Sequence, residues 1–199
     1  KLDKDKAYNV GKLAYINAPN NLPFNLKRNE KMRISDFLTR ISSIDFLRDR
    51  LRRNADTAPL TNSIKRIFFA RHNIRRNYNQ SEIFEIFKLQ GFQKVFMEDL
   101  SLREQISLIA NAEMIAGPTG AAWTNLIFCR KGTKCLCWIA EGYGEFSAFS
   151  NLAKIVGADM SYVTFKTDAK SSRELYYRNY SVDAIIIKQS LDKLLSAVD

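Results

Sequence analysis

RIFFARHNIRRNYNQSEIFEIFKLQGFQKVFMEDLSLREQISLIANAEMIAGPTGAAWTNLIFC, residues 66–129, is the stretch that decides how this chain folds. Short apolar runs alternate here with longer segments of helical period, the pattern of parallel strands joined by crossover helices. IFFA at 67–70 reads as a buried strand, and SEIFEIFKLQ at 81–90 as a helix stopped by Gly91, whose missing Cβ suits a left-handed C-terminal turn. KVFME at 94–98 is the second strand. Ser101-Leu102-Arg103-Glu104 has the hydroxyl-to-carboxylate spacing of a capping box and opens a helix that runs to about Ala112. EMIAG at 113–117 is a third strand, which passes into the small-residue turn Gly117-Pro118-Thr119-Gly120-Ala121-Ala122-Trp123-Thr124-Asn125; LIFC then keeps a helical pattern up to Lys131-Gly132.

Working outward, KCLCWIA at 134–140 and MSYVTF at 160–165 read as further strands, with the helix FSAFSNLAKIVG between them, ending at Gly157. AIIIK at 184–188 reads as one more strand, and SLDKLLSAV at 190–198 as a closing helix. The sum is an α/β domain over residues 64–199: an open, mostly parallel, Rossmann-like sheet of five or six strands with flanking helices. Residues 1–63 form an N-terminal segment, a remnant of or link to an N-terminal half. Its clearest element is ISDFLTRISSIDFLRDRLRR at 34–53, where Ile34, Phe37, Leu38, Ile41, Ile44, Leu47 and Leu51 recur at helical spacing. The expectation is a core-facing helix with a solvated basic side, followed by the linker NADTAPLTNS.

The composition suits such a fold. With 46% hydrophobic and 12% aromatic residues among 199, the chain can bury a sizeable core, which excludes collagen-like, low-complexity and wholly disordered classes. No stretch approaches membrane-spanning length. Lys and Arg number 31 against 21 Asp and Glu, and the formal +10 favours polyanions, phosphorylated ligands or an anionic membrane surface. Cys129, Cys135 and Cys137 are too few and too close for a disulfide scaffold, and His72 is the only histidine, so reduced, buried thiols are expected and a structural zinc is not. Serine-triad and zincin chemistry lack their residues, and no Asp-x-Asp element that would hold a metal between strands is evident, so no metal and no cofactor is implied. The chain begins KLDKDKAYNV, without a Met or a signal-peptide core, which reads as a fragment or processed form; with the reduced cysteines it suggests the cytoplasm.

Ligands of open α/β sheets bind beyond the carboxyl ends of the strands, and two segments there suit a phosphate. In Gly117–Asn125 the glycines permit close backbone approach, a helix begins, and Thr119, Thr124 and Asn125 add polar side chains. The turn matches neither Gly-x-Gly-x-x-Gly nor the P-loop, and tight packing explains it equally well. Directly after IFFA, Arg71, Arg75 and Arg76 form a candidate anion clamp, since guanidinium groups bind phosphate bidentately and stay charged. The bland alternative is a solvated basic loop. His72 reads as a packing or surface residue.

Taken together, the arginine after the first strand, the Arg-Arg and Asn79 segment, Gly-Phe before a strand, Ser-Leu-x-Glu-Gln and the Gly-rich turn with Thr-Asn-Leu-x-Phe resemble the C-terminal half of family 61 glycosyltransferases, of the capsular-polysaccharide type. The resemblance spans roughly Lys65 to Val163. It implies a GT-B arrangement, an inverting transfer from a nucleotide-sugar donor to a glycan or polysaccharide acceptor, peripheral attachment at the inner face of a bacterial membrane as one option, and no nucleic-acid partner. It implies that Arg71, Arg75 and Arg76 hold the donor diphosphate and that Gly120, Ala121, Thr124 and Asn125 lie against it; Asn79, Gly117 and Thr119 are placed in the same site, and Glu141, near a strand end, reads as a ribose contact or a solvated residue. The catalytic base stays unassigned. The chain departs from the family turn Gly-x-His-Gly-Ala-Gly-Leu-Thr-Asn at Thr119 and at Ala122-Trp123, and Gln80 stands where an acid is common. A basic nucleic-acid-binding module, suggested by FARHNIRRNYN and ELYYRNYS, and a non-catalytic family member are the alternative readings.

Overall fold

The computed structural model describes residues 40–54, 64–72, 76–141, 148–170, 172–175 and 177–196, together with positions 6, 7, 9, 11 and 12. Five strands, β1 (Arg66–Phe69), β2 (Gln93–Val95), β3 (Met114–Pro118), β4 (Lys134–Ala140) and β5 (Asp159–Phe165), form one sheet in the order β2-β1-β3-β4-β5. Every pairing is parallel, with Phe69 opposite Val95, Phe68 opposite Ala116 and Pro118 opposite Trp138. The helices are α1 (Ile41–Asn54), α2 (Gln80–Lys88), α3 (Leu102–Asn111), α4 (Ala148–Val156), α5 (Ser172–Leu175) and α6 (Ala184–Ser196). Two 3-10 segments, Met97–Asp99 and Ala121–Phe128, complete the described elements.

The strands are near-continuous apolar runs because both faces of a parallel sheet are covered. Side chains alternate between two cores. Ile67, Phe69, Ile115, Cys135 and Cys137 pack with Ile106 and Ile109 of α3, Trp123 and Leu126 of the 3-10 helix, and Val156 of α4. Phe68, Ala116, Leu136 and Trp138 face the other way, onto Phe87 of α2 and Ile187 and Leu191 of α6. Fully burying an Ile or Phe contributes about 1.5–3 kcal/mol, so these two layers dominate the stability. All three cysteines are free and buried within the first layer or at its margin. The α/β reading therefore holds, with the described strands all parallel.

Three expectations change. AIIIK is the first part of α6, not a strand: Asp183 Oδ1 accepts from the Ile185 and Ile186 N–H groups, and burial falls on Ile187, Leu191 and Leu194, while Ile185 and Ile186 are exposed. A β-branched run mimics a strand locally, but the capping aspartate and the 3.6-residue period decide the structure. KVFME stays in the sheet only as far as Val95, its Lys94 and Val95 pairing with Phe68 and Phe69, after which Met97–Asp99 turns as a 3-10 segment. In the amphipathic stretch, α1 packs through Ile44 and Leu51 and through Arg48, whose Nη2 donates to the Cys129 carbonyl at 2.9 Å, but Ile41, Phe46 and Leu47 are exposed. Residues 34–39 and 55–63 of that reading lie outside the described residues.

Candidate functional site

The chain passes from β1 outward to β2, crosses back over β1 to β3, and continues to β4 and β5. The direction of strand succession therefore reverses between β1 and β3. There, α2 leaves β1 for one face and the 3-10 helix leaves β3 for the other, and such a switch point is where open α/β sheets usually hold a ligand, in a crevice at the carboxyl edge. The two segments singled out from the sequence are the two sides of this crevice.

Arg71 sits just past β1. Its main chain is fixed by one side chain: its N–H donates to Gln80 Oε1 at 2.8 Å and its carbonyl accepts from Gln80 Nε2 at 3.1 Å. With the backbone held, the guanidinium reaches across to β3, and Nη2 donates to the Thr119 carbonyl. Thr119 is held from the far side, its N–H donating to the Trp138 carbonyl at 2.9 Å. The glycines make the approach possible. A Cβ on Gly120 would lie 2.6 Å from Arg71 Nη2, and one on Gly117 would lie 2.6 Å from Phe69 Cβ. Arg71, Gly117, Thr119 and Gly120 thus come together at the switch point, with exposed Ala121 next in sequence.

The remaining predicted residues are placed differently. Thr124 Oγ1 donates to the Ala121 carbonyl at 2.7 Å, and buried Asn125 donates through Nδ2 to the Ala122 carbonyl and to Gln105 Oε1, both at 3.1 Å. Gln105 in turn donates to the Met97 and Leu100 carbonyls, so Asn125 ties the 3-10 helix to α3. Asn79 precedes α2; its Nδ2 donates to Glu82 and to the Val182 carbonyl, and its Oδ1 accepts from the Val182 N–H. Glu141 is exposed past β4, its N–H donating to the Phe165 carbonyl at 2.7 Å. Arg75 lies outside the described residues. Arg76 has a left-handed backbone at φ 53°, unusual for a non-glycine residue, and its guanidinium carbon is 5.5 Å from the Tyr180 ring centroid.

Tyr180 belongs to a layer of rings along this edge that sequence reading missed. Tyr78 and Tyr180 stack at 5.3 Å, Tyr180 and Phe165 at 4.2 Å, and Tyr78 meets Trp138 edge-on at 5.9 Å. Two main-chain donors hold the layer: Tyr180 N–H to the Asn77 carbonyl at 3.1 Å, and Asn77 N–H to Asn179 Oδ1 at 2.8 Å. Burial pushes the Tyr78 phenol well above its ordinary range and raises that of Tyr180, with the charge of Arg71 opposing it in both and Arg76 and the Trp138 N–H opposing it in Tyr180. Burial likewise pushes the Cys137 thiol up, against the Thr119 hydroxyl and the two guanidinium groups. Gln80 was also missed as the residue that fixes Arg71. His72 leans toward β2 instead, flat on Phe96 at 4.1 Å with Nε2 3.0 Å from Asp99 Oδ2.

Among the described residues no cluster of three or more His, Cys, Asp or Glu converges as a metal site would require. No described helix is long and apolar enough to cross a membrane. No individually curated protein matches the chain. The model of the family Glycosyltransferase 61 matches residues 26–136, which takes in β1 to β3, the 3-10 helix and both sides of the crevice. The match covers more than half of the chain, and the chain belongs to the glycosyltransferase 61 family.

Proposed function

We propose that this family 61 glycosyltransferase takes its sugar from a nucleotide-sugar and seats the donor diphosphate in the crevice between β1 and β3. The observation that carries the reading is the Arg71 contact: a guanidinium fixed from behind by Gln80, resting on a neutral carbonyl, at a glycine that leaves room beside it. Among the described residues no carboxylate pairs with Arg71. Exchanging the Thr119 carbonyl for a phosphate oxygen replaces a half-ionic hydrogen bond with a fully ionic one, bidentate where geometry allows. As the sugar C–O bond breaks, charge builds on the diphosphate, and a fixed guanidinium stabilises it without reorganising. Arg75 and Arg76 follow in the same connection, and the +10 charge draws anionic donors in. In this reading the transfer inverts the anomeric centre, the acceptor is a glycan or polysaccharide hydroxyl, and the fold is the donor half of a GT-B pair.

Thermal unfolding and calorimetry with UDP, GDP, CDP and TDP and their sugar conjugates test it. One nucleotide series should raise the unfolding temperature through mass action, and Arg71→Ala should abolish the shift. Absence of a shift with every nucleotide, or an unchanged shift in Arg71→Ala, would overturn the placement.

A further inference from the structure

Beside Arg71 and Arg76 lie three buried polar atoms without a hydrogen-bond partner: Tyr78 Oη, Tyr180 Oη and Trp138 Nε1. They belong to one group of rings. Tyr78 lies 5.3 Å from Tyr180 and 5.9 Å from Trp138, and Trp138 is fully buried in β4, directly opposite Pro118 of the Gly117–Asn125 turn. The Trp138 N–H and the Arg76 guanidinium lean toward the Tyr180 oxygen, but that oxygen closes no hydrogen bond. Ser107 Oγ and Arg48 Nε, also without partners, sit on α3 and α1 and do not belong to this group.

A buried hydroxyl or N–H left unpaired carries the full penalty of its lost hydration. Stacking does not need the hydroxyls, since phenylalanine would supply the same rings. The chemistry of the group is one-sided. Burial keeps both phenols protonated, so O–H, O–H and N–H stand as donors beside two guanidinium groups. A phenol oxygen can also accept, but with three neutral donors and two guanidinium groups the donors outnumber the acceptors and none of these five groups is a carboxylate, a balance that complements an oxyanion.

We infer that Tyr78, Tyr180 and Trp138 are the inner wall of the diphosphate site, donating to non-bridging phosphate oxygens that enter between Arg71 and Arg76. The inference rests on the donor reading above and adds the neutral donors that complete it. The missing hydrogen-bond partners arrive with the ligand. Asn77, Asn79 and Asn179 then act as positioning residues, because their bonds hold the connection after β1 against residues 179–182 and so keep the two tyrosines face to face.

Tyr78→Phe, Tyr180→Phe and the double variant test this, each keeping the stack and removing only hydroxyls. Two quantities are measured: the unfolding temperature without ligand, and calorimetric affinity for inorganic diphosphate and for the nucleoside diphosphate that the unaltered chain binds. The expected result is an unfolding temperature equal to or above that of the parent, with affinity for inorganic diphosphate weakened at least tenfold in the double variant and several-fold in each single one. A lowered unfolding temperature with unchanged affinity shows a structural role and overturns the inference. Unchanged affinity in all three variants, while Arg71→Ala abolishes binding, overturns it and leaves the donor site standing. Weakened nucleotide-sugar binding with unchanged inorganic diphosphate binding moves the hydroxyls to the sugar or base and also overturns it. If the parent binds neither inorganic diphosphate nor any nucleoside diphosphate, the inference and the donor reading fall together. Should the double variant fail to fold, the single variants carry the same comparison.

Discussion

Two connections leave the carboxyl edge of the sheet at the same crevice, and they handle their polar groups in opposite ways. After β3, the side chains close on themselves: Trp123 Nε1 donates to the Pro118 carbonyl at 3.0 Å, Thr124 to Ala121, and Asn125 to Ala122 and Gln105. What this connection offers a ligand is shape, two glycines without Cβ atoms. After β1, and in the segment after β5 that clasps it, two guanidinium groups and two phenols gather, and both phenol oxygens are buried without a partner. In the proposal above, the first connection is a packed wall and the second supplies the donors to the ligand. A ligand site needs both, since donors without a rigid opposite wall would collapse onto each other.

Substitutions should separate the two roles, and the largest effect belongs to the wall. Gly117→Ala places a Cβ against Phe69 Cβ and carbonyl, at 2.6 and 3.2 Å, where neither β1 nor β3 can move without breaking the ladder. Overpacking of this kind costs roughly 1–3 kcal/mol, read as a lower midpoint in urea or thermal unfolding. A cost below about 0.5 kcal/mol would mean that the wall yields. Asn125→Ala comes next, at about 1–2 kcal/mol, because it leaves Gln105 Oε1 and the Ala122 carbonyl short of a donor. Its nucleotide affinity should stay within about twofold of the parent, under 0.5 kcal/mol. A large loss of affinity with intact stability would instead turn Asn125 toward the ligand and break the contrast between the connections.

Gly120→Ala sits between the two regions. The atom in the way is the far end of the Arg71 side chain, which swings aside at little cost to the fold. Stability should change by less than about 0.5 kcal/mol, whereas affinity for the bound nucleoside diphosphate should fall about tenfold, near 1.4 kcal/mol, because the guanidinium loses its fixed position. Titration calorimetry beside a melting curve reads both, and equal losses in the two would merge the connections into one structural unit.

The same contrast explains what the sequence made legible. The sheet was readable because strands buried on both faces are continuous apolar runs, and the two connections at the switch point stood out because glycines and arginines punctuate the residues just after a strand. Asn125 and Thr124 were given ligand roles on their polarity, but polarity does not say which way a side chain turns, and here the 3-10 helix and α3 take both amide and hydroxyl. Tyr180 stood out only as part of the basic-aromatic run ELYYRNYS, with nothing to join it to the crevice: it reaches Tyr78 from 102 residues away, through a pairing of connections that only the closed fold creates. AIIIK failed for the opposite reason, since its local signal was strong but the aspartate before it set a helix.

The smallest expected effect tests what holds the segment after β5 in place. Arg178 pairs with Asp168, and its hydrogen bond holds the Asp168 carboxyl below its ordinary range, while Asp168 raises Arg178 in return. A carboxyl depressed in the fold contributes stability above its unfolded pKa of about 3.9, and that contribution is lost as pH falls through the lower folded value. Arg178→Gln should therefore unfold slightly earlier than the parent near neutral pH, and the two melting curves should converge as pH drops below about 4. Both side chains face solvent, so the difference should also fade in about 1 M salt, where screening acts within roughly 3 Å. Diphosphate affinity should move by less than about twofold, under 0.5 kcal/mol, because Tyr180 is held by Asn77 and the ring stack rather than by this pair. A loss of affinity as large as that of Gly120→Ala, and one that salt reproduces in the parent, would make the surface pair, and not the asparagine clasp, the device that keeps the donors in place.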